Sequence, residues 1–277
     1  MADDATAART GLDTTVSHSA RIWNYWLGGK DNFAVDREAG DRVAGMLPII
    51  VAQARADRAF LGRAVRYLAG PEGIRQFLDI GTGLPTADDT HQVAQQTAPE
   101  ARIVYADNDP LVLSHARALL TSSPEGACDY IDADLREPEK ILSEAARTLD
   151  FTQPVALLLG VLHHISDTDE AYEIVRRLTA AMVPGSFLAI NHSTSAVSGA
   201  AMEEAVAHWN QVGTPPMTLR SPQQIARFFD GLDLLEPGVV PCSRWRPDVS
   251  PLGGQPPEVD EFCGVAAKPK PATVRPA

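Results

Sequence analysis

Five short apolar runs alternate with amphipathic stretches through the middle of the chain, and this alternation constrains the fold more than any other feature. The runs are Gln76–Ile80, Ile103–Ala106, Tyr130–Ala133, Val155–Leu159 and Phe187–Ile190, with helical patterns at 86–97, 110–120, 138–149 and 168–182 between them. Short strands separated by helices pair through crossovers, which builds a parallel sheet covered on both faces. Met182-Val183-Pro184-Gly185 stops the last of these helices. Two more strands, Val239–Arg246 and Phe262–Ala267, flank the Pro/Gly-rich stretch 247–257 and read as an antiparallel pair at one edge. The expected class is α/β: a seven-stranded, mostly parallel sheet with an antiparallel edge. Residues 18–70 read as an N-terminal helical cap broken at Leu27-Gly28-Gly29-Lys30, and 71–268 as the sheet domain. An insertion at 192–236 carries helices at 198–211 and 221–230, while 1–17 and 269–277 lack an apolar period and read as disordered tails.

Composition bears on partners. The 24 Lys+Arg against 36 Asp+Glu leave a formal charge of −12, which opposes nucleic acid and anionic membrane surfaces alike. The longest apolar runs fall far short of the roughly 20 residues of a membrane helix. Cys128, Cys242 and Cys263 lie far apart, without a Cys-x-x-Cys pair, so neither a disulfide framework nor a zinc site is expected. Met1–Ser17 has neither the basic start nor the apolar stretch of a secretory leader, and the expected location is cytoplasmic.

The first strand runs into Asp79-Ile80-Gly81-Thr82-Gly83-Leu84-Pro85-Thr86. A glycine turn between strand and helix lets a ligand approach the backbone closely, and Thr86 with Asp89 has capping-box spacing. A dinucleotide fingerprint would have a third glycine where Pro85 and Thr86 stand. Asp79 before the turn and Asp88-Asp89 after it would repel a diphosphate, although first-turn acids also complement a helix dipole. A ligand with cationic ends suits this loop better, and S-adenosylmethionine (SAM) has a sulfonium and an ammonium group.

Acids recur at the next two strand ends. Asp107, in Asp107-Asn108-Asp109-Pro110, is placed to accept ribose hydroxyls, while Asp109 suits the N-cap of the Pro110 helix. In Asp132-Ala133-Asp134-Leu135 only one acid can face the ligand, and the strand end favours Asp134, with Leu135 packing on an adenine ring. The fourth strand ends Gly160-Val161-Leu162-His163-His164. On extended backbone adjacent histidines point to opposite faces, which opposes a shared metal. A general-base role for His163 or His164 competes with simple packing against the cofactor.

These motifs resemble those of class I SAM-dependent methyltransferases, which share a Rossmann-like fold. The segment from His18-Ser19-Ala20-Arg21 through Trp23-Asn24-Tyr25-Trp26 to Gly28-Gly29-Lys30-Asp31-Asn32-Phe33 resembles the signature of an actinobacterial methyltransferase-like family of uncharacterised function. Phe262-Cys263-Gly264-Val265-Ala266 is similar to that family's last strand, and the likeness covers about 18–268. It implies that Gly81, Thr82 and Gly83 pass under the methionine part of SAM, with Asp79 near its ammonium. Asp107 would hold ribose, Asn108, Asp134 and Leu135 would contact adenine, and Gly160 and Val161 would line the methionine side.

Trp23 and Trp26, at i and i+3, suit a helix face packed on the sheet. The segment around them is read as a lid over the cofactor, with Tyr25 or Asn32 reaching the SAM carboxylate. In the insertion, His192, His208, Trp209, Asn210 and Arg220 are candidates for contact with a methyl acceptor. The function expected is SAM-dependent methyl transfer to a small-molecule acceptor. A non-catalytic SAM-binding regulator and an NAD-dependent oxidoreductase are the competing readings.

Overall fold

The computed structural model describes residues 13–85, 88–119, 121–248 and 254–270. The tail readings at 1–12 and 271–277, and Thr86 and Leu120 at expected helix ends, lie outside the described residues. Three helices come first: α1 (Ser19–Trp26), α2 (Ala34–Met46) and α3 (Ile50–Ala69). The chain then alternates through β1 (Gln76–Ile80), α4 (Thr90–Thr97), β2 (Arg102–Asp107), α5 (Pro110–Leu119) and β3 (Ala127–Asp132). It continues with α6 (Pro138–Ala145), β4 (Ala156–Leu159), α7 (Thr168–Ala180) and β5 (Phe187–Ser193). After α8 (Ala200–Val212) and α9 (Pro222–Ala226) come β6 (Asp233–Leu234), β7 (Val240–Pro241) and β8 (Glu261–Ala267).

The main sheet has the order β3-β2-β1-β4-β5-β8-β6, with β7 also paired to β8. Strands β1 to β5 are parallel, and β8 runs antiparallel to its partners. This sheet has eight strands among the described residues, not seven. The expected strand Val239–Arg246 is cut short because Pro241 offers no N–H to continue a ladder. The chain turns instead through Cys242–Arg244 and buries Trp245 edge-on against Phe60, with ring centroids 5.4 Å apart.

Strand side chains alternate between two cores. Leu78, Ile80, Val104, Ala106, Leu157, Leu159, Leu188 and Ile190 face α6 and α7. Phe77, Ile103, Tyr105, Ala156, Leu158, Phe187 and Ala189 face α3 and α4. Both faces are covered, which is why these strands read as continuous apolar runs. Helix α4 starts at Thr90 rather than at 86. Asp88 takes a left-handed φ of 63°, which interrupts any earlier helix. Asp89 then caps the helix, its N–H donating to Gln92 Oε1 at 3.2 Å.

Candidate active site

Register brings the strand ends to one edge. Ile80 pairs with both Ala106 and Leu159, Ala106 with Ile131, and Leu159 with Ile190. The next residues in each strand (Gly81, Asp107, Gly160 and Asn191) therefore emerge together. The order reverses between β1 and β4, which is where an open α/β sheet leaves a crevice. A cavity of about 360 Å³ occupies it. The expected residues Asp79, Gly81, Thr82, Gly83, Asp107, Asn108, Asp134, Leu135, Gly160, Val161, His163 and His164 all line it.

Gly81 has φ 76°, and a Cβ there would stand 2.0 Å from Val161 Cγ1, so only glycine fits. Gly83 (φ 67°) aims its N–H at Asp107 Oδ2, 3.0 Å away, while Asp107 Oδ1 accepts the Asp109 N–H at 3.0 Å. Asp79 accepts the Thr90 hydroxyl at 2.7 Å. Burial raises both Asp79 and Asp107 to about 6, outweighing these hydrogen bonds. At the β3 end, Asp134 accepts from Asn108 Nδ2 at 3.1 Å, whereas Asp132 is exposed. Asp109 does cap α5: its carboxylate accepts the Leu111 N–H at 2.8 Å.

His163 and His164 lie on a 3₁₀ turn, not on extended backbone, so their rings meet at 4.2 Å rather than facing apart. The carbonyl of Pro216, 3.0 Å from His164 Nδ1, can only accept, which puts the His164 proton on Nδ1 and leaves Nε2 free. Burial lowers His164 to about 4, and lowers His163 well below the usual range. Buried Arg220 donates to the Leu162 and Ile165 carbonyls at 3.0 and 2.7 Å, and to His192 Nε2 at 2.8 Å. It therefore holds the turn from behind.

This corrects the insertion residues as acceptor contacts, since none lines the cavity. His192 and Arg220 are buried under the turn, Trp209 donates to the Pro215 carbonyl at 2.9 Å, and Asn210 brackets Met217 through both of its amide atoms. His208 is only partly exposed, with its Nε2 buried. These residues shape the segment that brings Pro215 and Pro216 to the cavity wall.

Helix α1 roofs the cavity with Ala20, Trp23, Asn24 and Leu27, spaced i, i+3, i+4, i+7. Trp23 thus faces the cavity, whereas Trp26 packs among α2 and α8 and donates to the Gly40 carbonyl at 3.2 Å. Tyr25 lies outside the cavity, its hydroxyl donating to Asp41 at 2.7 Å. Asn32 is buried behind the roof, donating to Asn24 Oδ1 and to the Gly29 carbonyl, both at 3.0 Å, and accepting from Arg37. Its amide is spent on seating Asn24, which is the residue that reaches the cavity. Arg21 and Asp36, buried and 3.1 Å apart, pin α1 to α2. A two-residue parallel pairing of Ser17–His18 with Gly213–Thr214 ties the roof to the insertion.

Sequence reasoning missed the wall given by α3, where Ala54, Asp57, Arg58 and Leu61 repeat the same spacing. The signal was present: a carboxylate four residues before Leu61, on the stripe that continues to Val65. Arg58 lies 3.8 Å from Asp89 and also favours the ionised form of Asp79. His18, Asn24, Asn191, Pro215 and Pro216 were also missed as lining residues.

A family model described as S-adenosyl methyltransferase matches residues 5–269. The chain belongs to this family. The cofactor of this methyltransferase is S-adenosylmethionine. A DUF574 family protein from Streptomyces avermitilis is 42% identical, with a TM-score of 0.89 over 93% of this chain and 99% of its own. A Thermobifida fusca protein provisionally assigned as a methyltransferase is 39% identical, with a TM-score of 0.85 over 94% and 98%. Magnesium protoporphyrin IX methyltransferase from Synechocystis, 12% identical at a TM-score of 0.50 over 85% and 95%, shares the fold alone. No curated protein matches the chain at a significant level.

The methyltransferase cavity fits this cofactor chemically. Among the described residues neither Asp79 nor Asp107 makes an ion pair, and burial raises both carboxyls. A ligand that brings an ammonium group and hydroxyl donors supplies what buried carboxyls of this kind lack. Among the described residues no helix is long and apolar enough to cross a membrane.

Proposed function

We propose that this methyltransferase acts on a small molecule that enters its cavity beside His164 and Asn191. The make-up of this cavity carries the reading: three strand-end acids (Asp79, Asp107 and Asp134) line it together with uncharged His163, His164, Asn191, Pro215 and Pro216. Its volume suits one or two small ligands, and a roof plus a charge of −12 suits no polyanion.

Asp107 holds the ribose hydroxyls on lone pairs that the Gly83 and Asp109 N–H groups leave over. Asn108, Asp134 and Leu135 frame adenine. Gly81, Thr82 and Gly83 underlie the methionine part, Asp79 attracts its ammonium, and Arg58, rather than Tyr25 or Asn32, takes its carboxylate. Gly160 and Val161 wall the methionine side. The bound cofactor supplies an electrophilic methyl on a sulfonium leaving group, so the protein's task is alignment. Where the acceptor must lose a proton, His164 Nε2 takes it, its tautomer fixed by Pro216.

The test is calorimetric titration with SAM and S-adenosylhomocysteine of the wild type and Asp107→Ala, followed by a screen for methylated products. Binding that is lost in the variant, with turnover of a small molecule, is the expected outcome. Failure of the wild type to bind either ligand would sink the reading.

A further inference from the structure

Asp57 is a cavity-lining carboxylate to which the methyl-transfer reading gives no role. It projects from α3, and its contacts are neutral: the Cys242 thiol at 3.9 Å and the side-chain amide of Asn191. Among the described residues it makes no ion pair: the neighbouring Arg58 favours its ionised form but stands 3.8 Å from Asp89, and Arg136 lies against Asp134 and Glu170. Near it sits fully buried Glu261, whose Oε2 accepts from Ser193 Oγ at 2.7 Å and from Gln53 Nε2 at 3.2 Å, while its Oε1 has no partner. Burial and the Asp57 charge push the Glu261 carboxyl well up, and as an acid it supplies no counter-charge.

The cavity therefore carries a surplus of negative charge. Four carboxylates line it (Asp57, Asp79, Asp107 and Asp134) against the two guanidiniums of Arg58 and Arg136. SAM brings two cationic groups and one carboxylate, which offsets only part of that surplus. A second unspent polar atom belongs to another lining residue: His163 is 4% exposed, and its Nδ1 has no partner. A carboxylate held by neutral donors at a cavity wall is matched by a ligand with several N–H donors and a positive charge.

We propose that the methyl acceptor is an amine that enters as its ammonium ion and is held by the Asp57 carboxylate at the Asn191 side of the cavity. This rests on the methyl-transfer reading and adds the substrate class. The ammonium gives up one proton to water, with His164 Nε2 as the relay, which exposes the nitrogen lone pair. That pair forms the new C–N bond as the methyl–sulfur bond breaks and its electrons stay on sulfur. The product leaves as the methylated ammonium. The overall charge of −12 also draws cations toward the cavity.

The experiment uses the full chain saturated with S-adenosylhomocysteine, titrated calorimetrically with benzylamine and with benzyl alcohol, its uncharged counterpart. The wild type is expected to prefer the amine by at least ~10-fold. Asp57→Asn, which keeps the side-chain shape, is expected to weaken amine binding by ~30-fold or more, as breaking a desolvated charge pair does, with alcohol and S-adenosylhomocysteine affinities unchanged. A wild type without preference for the amine overturns the proposal, whatever the variant does. So does a variant that binds S-adenosylhomocysteine normally and keeps the preference. Failure of the wild type to bind S-adenosylhomocysteine removes the methyl-transfer reading instead, so the two failures are distinct.

Discussion

Replacing Asp79 by Asn should stabilise the ligand-free protein while impairing its use of SAM. Asp79 is 6% exposed, and burial lifts its carboxyl from the ordinary 3.8 to about 6. Such a group favours the folded state below about pH 4, where it is neutral in both states. That advantage is lost as pH rises through about 6, since only the unfolded chain then ionises freely. The difference corresponds to about 3 kcal/mol at pH 8. That value already includes the hydrogen bond from Thr90. Removing the charge should therefore raise the melting temperature of a domain this size by roughly 6–12 °C at pH 8 and leave it nearly unmoved at pH 4. Scanning calorimetry of both proteins at the two pH values, without ligand, checks this. A variant less stable than wild type at pH 8, or equally shifted at both pH values, would show that the carboxylate is not held at a cost. The same variant should bind SAM at least ~10-fold more weakly, as the ammonium loses its partner.

Other consequences follow from the same geometry. SAM affinity should be flat above pH 7 and fall as pH drops through about 6, where Asp79 and Asp107 take up protons, with a limiting slope near tenfold per pH unit for each group; calorimetry from pH 5 to 8 would expose a flat profile as a refutation. Gly81→Ala puts a methyl 2.0 Å from Val161 Cγ1 at a φ of 76° and should lower SAM affinity by more than ~10-fold, with about 1–3 kcal/mol lost from the fold. A normal SAM titration in that variant would contradict the close approach. Arg220→Leu strands the Leu162 and Ile165 carbonyls and should cost about 2–4 kcal/mol in urea unfolding; a loss under about half a kcal/mol would mean that the turn does not depend on it.

Much of the site was legible because a parallel sheet puts its chemistry at strand ends. Asp79, Asp107 and Asp134 each follow an apolar run, and parallel pairing leaves them one edge to share. What escaped was anything set by helix orientation. Asp57 and Arg58 are flanked by Phe60 and Leu61, and composition alone could not say that this face turns toward a cavity instead of a core. Asn24 and Asn32 flank one aromatic and glycine-containing stretch, and only the turn at Gly28-Gly29 decides which amide is spent inside it. The histidine pair was misread for a similar reason: one 3₁₀ turn rotates two rings onto the same side, and Arg220, far along the chain, holds that turn. The edge strand failed at Pro241, where burial of Trp245 prevailed over continued pairing.

The roof has a consequence for how ligands exchange. Its internal bonds are short-range: Asn24 to Asp31 and Asn32, Arg21 to Asp36, and the Asp36 carboxylate to the Phe33 N–H. Its polar ties to the rest of the chain lie at its margins, while Trp26 and α2 pack on α8 through apolar side chains. The polar ties include the pairing of Ser17–His18 with Gly213–Thr214 and the contacts of His18 with Asp109 and of His115 with Asp31. Swinging the roof outward would break those polar ties and part its apolar contact with α8. Product that leaves past the roof would therefore wait on residues of α2 and α8 outside the cavity as well as on His18 at its wall.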